Sequence, residues 1–260
     1  MSTINSLNRS LDALTQNIQQ LSSGNRINSA SDDAAGLAIA TQMSVQISGT
    51  GQALSNIDNS LSMVQTASSG LGQMSEAIQN IRDLTVQAGD GALNADDRSA
   101  IQTQINQNLE SINTAAQTSN FNGQNLFDGS FSTTLQTGPN AGDSQSFSIA
   151  NNSSSALGLN GIDVTNPSNI SDSLDALDQA LTQINTQQSA LGAITNGLQS
   201  HAESLTSSNI SLTAAQGSIQ STDFAAAISE SAKNNTLVQA GLQALKIYND
   251  SQQNKLALLK

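Results

Sequence analysis

The sequence predicts a mainly α-helical fold: a long antiparallel helical coiled-coil rod with paired terminal helices and a small β-hairpin region in the middle of the chain. Apolar residues recur at alternating spacings of three and four near both ends and along two inner segments, which is the pattern of coiled-coil helices. Only 2% of the 260 residues are aromatic, so narrow helical seams suit the composition better than a thick core. Four of the five phenylalanines and both prolines fall in one central stretch.

Each end of the chain carries one apolar seam. The amino-terminal seam consists of Ile4, Leu7, Leu11, Leu14, Ile18 and Leu21. The carboxy-terminal seam consists of Val238, Leu242, Leu245, Asn249, Gln252, Leu256 and Leu259. A pair of short end helices has too little neighbouring core to be stable alone. We therefore interpret the terminal seams as surfaces that contact other subunits.

Two longer helical regions are predicted between the terminal seams. Apolar residues follow helical spacing from Leu54 to Ile81, and this helix is expected to end near Gly89–Gly91. Asn94, with Asp97 three residues later, predicts a capped restart. The longest seam runs from Ile170 to Leu212 and would span roughly 65 Å as a helix.

The order of predicted elements is helix, helix, small β insert, helix, helix. It places both ends of the chain together, since the chain goes out and comes back. The predicted domains are a terminal helical domain (1–40 and 220–260), a helical rod domain (41–120 and 170–219) and a small β-hairpin region (121–169). Turn residues and short alternating pieces such as Ser146–Ile149 favour strands in that region. Gly49 and Gly51 predict a pliant spot between the end helix and the rod.

Composition argues against several classes of function. The net charge of -12 disfavours binding to nucleic acid or insertion into an anionic membrane. The sequence contains no cysteine, and it shows neither a run of 18 apolar residues nor a leader at Met1. By itself this pattern would indicate a cytoplasmic protein.

No catalytic, cofactor or metal site is predicted. His201 is the single histidine and is interpreted as a surface residue. The pair Asp96–Asp97 fits a first helical turn, where negative charge is favoured. The pair Asp32–Asp33 is expected to start a helix or to bond a neighbouring subunit. Gly49 and Gly51 do not form a phosphate loop, because no lysine follows them.

Four longer segments and the terminal LALLK resemble bacterial flagellins, the subunits of the flagellar filament. The most characteristic is LSSGNRINSASDDAAGLAIA, residues 21–40. The similarity continues through QNIRDLTVQA (79–88), TSNFNGQNLFDG (118–129), STDFAAAISESAKNNTLVQAGLQAL (221–245) and the terminal LALLK. The four segments follow the order and spacing of that family.

The resemblance implies a structural subunit that polymerises with copies of itself into a hollow extracellular filament for swimming. It also implies export, unfolded and without signal cleavage, through the flagellar type III apparatus. The implied partners are filament cap and hook-junction proteins, together with an export chaperone at the C-terminal segment. Large variable outer domains are expected to be absent. The implied polymerisation interface adds Arg26, Asn28, Asp32, Asp33 and Leu37 to the terminal seam residues.

Other interpretations stay open at this point. A hook-filament junction protein also has helical ends, but it normally lacks the stretch NRINSASDDAAGLAIA. A secreted coiled-coil adhesin or effector belongs to a different class, and an enzyme is the weakest alternative. Growth of long tubes from the purified, seeded protein would separate a flagellin from all of these.

One region departs from the pattern of flagellins that the animal Toll-like flagellin receptor senses. Those flagellins usually have Arg where this chain has Asn80, and Glu where it has Gln104. Arg82 and Leu84 of the same pattern are present. The departures imply poor recognition by the receptor.

We therefore expect weak or absent signalling through that receptor. The double substitution Asn80→Arg and Gln104→Glu should favour its restoration, because it supplies the two missing groups of the pattern. A cell reporter assay measures this, and full potency of the unsubstituted protein would contradict the prediction.

Overall fold

The structure, a computed structural model, describes residues 2–257. Within those residues the helices are α1 (Ser2–Ser23), α2 (Ala34–Ala88), α3 (Ala95–Thr118), α4 (Ile170–Gln220) and α5 (Phe224–Ala257). The strands are β1 (Asn120–Phe121), β2 (Gln124–Asn125), β3 (Ser132–Gln136) and β4 (Ser144–Ser148). The predicted mainly α-helical class, with long helices and a small antiparallel β region, is confirmed.

The chain forms two compact units. The terminal unit contains the described residues up to Ser48 and those from Asn209 onward. The inner unit runs from Gly49 to Ser208. Each unit has its own packing, described separately below.

The core of the inner unit is a continuous apolar cluster. It joins α2, α3 and α4 with the segment between α3 and α4. Its fully buried members include Leu71, Met74, Ile78, Ile81, Ile105, Ile112, Leu126, Phe127, Leu159 and Leu177. On α4 the buried positions Ser173, Leu177, Ala180 and Ile184 keep the spacing of four, three and four. The predicted seams therefore pack inside this unit.

Phe127 is the largest fully buried side chain in this core, and a glycine makes room for it. A Cβ atom at Gly70 would lie 2.6 Å from Cε2 of Phe127. A side chain at Gly70 would therefore displace the ring. Nearby, the rings of Phe131 and Phe147 lie 5.8 Å apart between centroids, at a tilt of 49°.

Two antiparallel hairpins follow α3. β1 and β2 are joined at Asn122 and Gly123, which both have positive φ, the backbone conformation typical of tight hairpin turns. β3 pairs with β4, and Thr133 lies opposite Phe147. The strand predicted at Ser146–Ile149 is present, although it ends at Ser148.

Within the predicted β-hairpin region (121–169), the last strand ends at Ser148 and no strand lies between residues 149 and 169. This segment contains two 3-10 turns, Leu159–Gly161 and Pro167–Asn169. Side-chain amides satisfy its backbone: Gln102 bonds both the oxygen of Ile162 (3.1 Å) and the nitrogen of Val164 (2.8 Å). A segment that is bonded by helix side chains needs no strand partner.

α2 passes through Gly49 and Gly51 without a break. The boundary between the two units falls between Ser48 and Gly49, and the pliancy expected at this place stays a prediction. Glycine in a helix interior costs about 1 kcal/mol, and a long helix tolerates that loss. Gly49 has a packing role as well, because a Cβ atom there would lie 3.0 Å from Cβ of Pro139.

The predicted restart at Asn94 is a complete capping box. The Oδ1 atom of Asn94 accepts hydrogen bonds from the backbone nitrogens of Asp96 (2.8 Å) and Asp97 (3.0 Å). In return, the Asp97 carboxylate accepts one from the backbone nitrogen of Asn94 (3.1 Å). The box satisfies donors that the first turn of α3 would otherwise leave unpaired.

We expect Asn94→Ala to lower the free energy of unfolding by about 1 kcal/mol, because it removes the acceptor of two backbone donors. Urea denaturation followed by circular dichroism measures the change. Asn106→Ala, an exposed position inside the same helix, is the control and should be neutral or slightly stabilising. Equal effects of the two substitutions would contradict the capping role.

Candidate assembly site

α1 and α5 pack on each other as an antiparallel pair. At one end of the pair, a Cβ atom on Gly24 would lie 3.9 Å from Cζ of Phe224. At the other end, a Cβ atom on Gly241 would lie 3.2 Å from Cδ1 of Leu7. These two contacts fix a register in which Leu14 lies opposite Asn234.

The apolar seam of α1 divides into two rows, each repeating every seven residues. Leu7 is buried, and Leu14 and Leu21 are half-buried, so this row faces α5. The second row is exposed: Ile4 by 50%, Leu11 by 42% and Ile18 by 54%. Only half of the predicted seam therefore packs within the subunit.

α5 turns small and polar side chains toward α1. Its least exposed positions, at spacings of four and three, are Ala227, Ser231, Asn234, Val238, Gly241 and Leu245, followed seven residues later by Gln252. Its larger apolar side chains are exposed instead: Phe224, Ile228, Leu237, Leu242, Ile247 and Tyr248. Val238 and Leu245 of the predicted seam face α1, whereas Leu242 does not.

The second helix pair of the terminal unit joins the start of α2 to the end of α4. Amide side chains of α4 bond carbonyl oxygens of α2: Gln216 to Ala40 (3.2 Å) and Asn209 to Ile47 (3.3 Å). This pair also leaves large apolar side chains exposed, namely Ile39, Val45 and Ile210.

A backbone clamp joins the loop after α1 to the end of α4. The backbone nitrogen of Arg26 donates to the oxygen of Gln220, and its guanidinium Nη2 donates to the oxygen of Ile219, both at 2.7 Å. The nitrogen of Thr222 donates to the oxygen of Gly24 at 2.9 Å. The cation of Arg26 thus lies at a helix C-terminus, where positive charge is favoured.

Asp32 holds the loop between α1 and α2 in shape. Its carboxylate accepts hydrogen bonds from the backbone nitrogens of Asn28 (3.0 Å) and Ser29 (2.9 Å) and from the Ser29 hydroxyl (3.1 Å). It also accepts one from the Gln16 amide (3.3 Å). These donors, the Asn28 and Ser29 nitrogens first, lower the pKa of the Asp32 carboxyl.

Asp33 starts α2. Its Oδ1 atom accepts a hydrogen bond from the nitrogen of Gly36 at 2.8 Å. A Cβ atom at Gly36 would lie 2.7 Å from Cδ1 of Ile27, which is 1% exposed, and 2.5 Å from Asp33 Oδ2. The motif SDDAAG of the resemblance is therefore a cap together with a glycine that admits a buried isoleucine. Of the two roles expected for Asp32–Asp33, the helix start belongs to Asp33.

The remaining residues expected at the interface lie in different settings. Asn28 is exposed, and its amide donates to the oxygen of Asn25 (2.9 Å), while Leu37 is half-buried. Leu256 lies in α5, but its side chain is not among those the structure describes. Leu259 lies outside the described residues.

The residues of the receptor pattern lie on α2 and α3 of the inner unit. Asn80 and Gln104 are exposed, and Leu84 is half-buried against the inner core. Arg82 donates from Nε to Oδ1 of Asp178 at 2.7 Å. This contact raises the pKa of Arg82 and lowers that of Asp178. Because both side chains are substantially exposed, the pair contributes little to stability.

Heptad reasoning missed several exposed apolar residues. Phe224, Ile228, Leu237, Ile247 and Tyr248 fall off the seam of α5, and Ile39, Val45 and Ile210 fall outside the terminal seams. The sequence could have revealed them, because these large apolar residues stand at positions where the seam spacing predicts solvent-exposed polar residues.

Two further findings concern sites of other kinds. Across residues 2–257, no group of three or more His, Cys, Asp or Glu side chains could hold a metal ion. In the same part of the chain, no helix is both long and apolar enough to cross a membrane.

Comparisons with known proteins match both ends of the chain. Residues 1–132 match the bacterial flagellin N-terminal helical region, and residues 174–259 match the bacterial flagellin C-terminal helical region. A flagellin of Bacillus subtilis (strain 168) is 34% identical over 295 residues, covering 100% of this chain and 97% of that protein. The flagellar filament 30.7 kDa core protein of Treponema maltophilum is 32% identical, covering 95% and 93%.

Solved structures show the same fold at lower identity. Bacillus cereus flagellin aligns with a TM-score of 0.54 at 23% identity, over 58% of this chain and 88% of that chain. A Vibrio parahaemolyticus protein described as flagellar hook-associated aligns with a TM-score of 0.62 at 16% identity, over 73% and 100%. The fold by itself is therefore common to both kinds of protein.

We expect Asp32→Asn to destabilise the protein at neutral pH, because the folded state bonds the charged carboxylate. The folded pKa lies below the unfolded one, so this stabilisation is present above the ordinary Asp pKa and disappears as the pH falls through the folded pKa. The difference between the two proteins should therefore shrink as the pH falls below the ordinary Asp pKa of about 3.9. Thermal unfolding at neutral and acid pH measures it, with exposed Asp12→Asn as the control. A difference that does not change with pH would contradict the role of Asp32.

Proposed function

This chain belongs to the bacterial flagellin family and is a structural subunit of the flagellar filament, and we propose that it polymerises through the exposed apolar side chains of its terminal unit. The family matches cover both terminal regions, and the curated relatives are similar over nearly their full lengths. The proposal concerns which residues join the copies.

The distribution of exposed apolar side chains carries this proposal. Among the described residues, every large apolar side chain that is strongly exposed lies in the terminal unit, with the exception of Val86. They occur on all four helical segments of that unit, whereas the inner unit buries its seams in its own core. Concentrated apolar exposure of this kind marks a surface that another protein covers.

The energetics favour copies of the same chain as that protein. Burying one large apolar side chain is worth about 1.5 to 3 kcal/mol. Ordering the backbone costs about 1 to 2 kcal/mol per residue, which the thin contact between α1 and α5 offsets poorly. A lattice of identical subunits buries the exposed rows of every copy, so ordering of the ends and growth of the filament become coupled.

Sequence similarity favours a flagellin over a hook-filament junction protein. The fold is shared with the Vibrio parahaemolyticus protein, but at 16% identity that likeness shows the fold alone. The filament proteins are 32% and 34% identical to this chain over nearly their full lengths. The loop of Asp32, Asp33 and Gly36 is the local structure of the stretch that junction proteins normally lack.

The proposal extends to the path of the subunit in the cell. The family resemblance supports unfolded export through the flagellar type III apparatus and assembly outside the cell beneath a filament cap. It also supports contact with hook-junction proteins and with a chaperone at the C-terminal segment. The exposed face of α5, from Phe224 to Tyr248, offers apolar side chains that such a chaperone would cover.

We expect Leu11→Asp and Leu245→Asp to block filament growth from seeds. Each substitution removes apolar burial worth about 1.5 to 3 kcal/mol. At Leu11 the new carboxylate lies on the exposed row where we propose that copies meet, and at Leu245 it lies in the contact with α1. The lattice repeats the loss at every subunit. Electron microscopy of purified protein after seeding, with sedimentation of the polymer, measures growth.

The two substitutions differ in a useful way. Leu11 is 42% exposed in the subunit, so its substitution should leave the fold intact, whereas Leu245 faces α1. Ser132→Asp adds the same charge at an exposed strand residue of the inner unit and is the control. Normal filaments from Leu11→Asp would rule out its row as a polymerisation surface.

A further inference from the structure

Two asparagines in the contact between α1 and α5 have buried amide nitrogens without a hydrogen-bond partner. The Nδ2 atoms of Asn17 and Asn234 are both in this condition within the described structure. Asn234 is 6% exposed as a whole residue. In either orientation of the amide, one of its polar atoms occupies this buried position and needs a hydrogen-bond partner there.

Both asparagines occupy the face along which the helices meet. Asn17 shares the packed side of α1 with Leu14 and Leu21, and Asn234 lies between Ser231 and Val238 on α5. In the register fixed by Leu7 and Gly241, Asn234 lies opposite Leu14 and Asn17 opposite Ser231. The two amides are therefore within about one helical turn of each other.

A role in setting the register does not account for them. The clamp of Gly24 and Arg26 with the end of α4 already holds one end of the helix pair by backbone hydrogen bonds. A buried asparagine that fixes register in a coiled coil does so by pairing with a partner. Here neither amide nitrogen has a partner, so the main effect of the two residues is on stability.

We propose that Asn17 and Asn234 keep the pairing of α1 with α5 weak in the free subunit, so that it becomes stable only during polymerisation. When the helices separate, water bonds both amides, and this favours the open state. In the filament, neighbouring copies cover the exposed rows led by Leu11 and Leu242 and stabilise the closed state. The inference rests on the proposed function. It assigns to these two residues the control of when α1 and α5 pair stably.

The test measures amide hydrogen exchange of α1 and α5 in the full-length, monomeric protein. Asn17→Ala and Asn234→Ala remove the unpaired amides. Asn8→Ala and Asn235→Ala make the same change at exposed positions of the same helices and correct for helix propensity. Each buried-site variant should slow exchange in both helices about tenfold relative to its control, the equivalent of ~1.4 kcal/mol.

Leucine variants at positions 17 and 234 guard against a packing defect in the alanine variants, because leucine fills the space with apolar atoms. Unchanged or faster exchange in both the alanine and the leucine variants, with the inner unit still protected, would overturn the proposal. Slower exchange with faster unseeded polymerisation is the expected result. Slower exchange without any change in unseeded polymerisation would overturn the link to assembly.

The monomer experiment is independent of the proposed function. If the parent protein formed no filaments under any seeding condition, the proposed function would fail, while hydrogen exchange would still report the effect of the two amides on the helix pair.

Discussion

Small and polar side chains fill the contact between α1 and α5, and this constraint decides what the terminal unit can do. Ala227, Ser231 and Gly241 allow the helices to approach, but they bury little apolar area. Most of the larger apolar residues of α5, and one of the two apolar rows of α1, consequently lie outside the contact and are exposed to solvent. A helix pair of this composition is a poor core for one subunit and a suitable contact surface for many.

The loop between α1 and α2 positions that surface. Ile27 is buried against Gly36, Asp33 caps α2, and Asp32 gathers the backbone nitrogens of the turn. Arg26 then bonds the carbonyl end of α4. The loop therefore links α1 to the second helix pair through hydrogen bonds as well as through the burial of Ile27. Because several of these bonds end on Asp32, the geometry of the loop depends on the charge of that carboxylate.

The inner unit shows the opposite arrangement. Its helices bury their seams in a single cluster that also takes in Phe127 and the segment after β4. Amide side chains such as Gln102, Asn113 and Gln187 satisfy the backbone and side chains of that segment. The inner unit is therefore suited to stay folded in the free subunit. The terminal unit, which exposes apolar rows, is suited to complete its packing where copies meet. The unpaired amides of Asn17 and Asn234 increase the difference between the two units.

Heptad spacing was sufficient to predict the helices and the cap at Asn94, because periodic burial and capping are local properties of the chain. The resemblance to flagellins likewise depends on residues that stand next to each other in sequence, such as those around Asp33 and Gly36. The split of the α1 seam into a packed and an exposed row was decided by tertiary structure. The sequence spacing is the same for both rows, and only the position of α5 determines which row is covered. The continuity of α2 through Gly49, and the absence of strands after Ser148, were decided in the same way. After Ser148, hydrogen bonds from the Gln102 amide take the place of a strand partner. Sequence spacing does not encode contacts between residues that are distant in the chain.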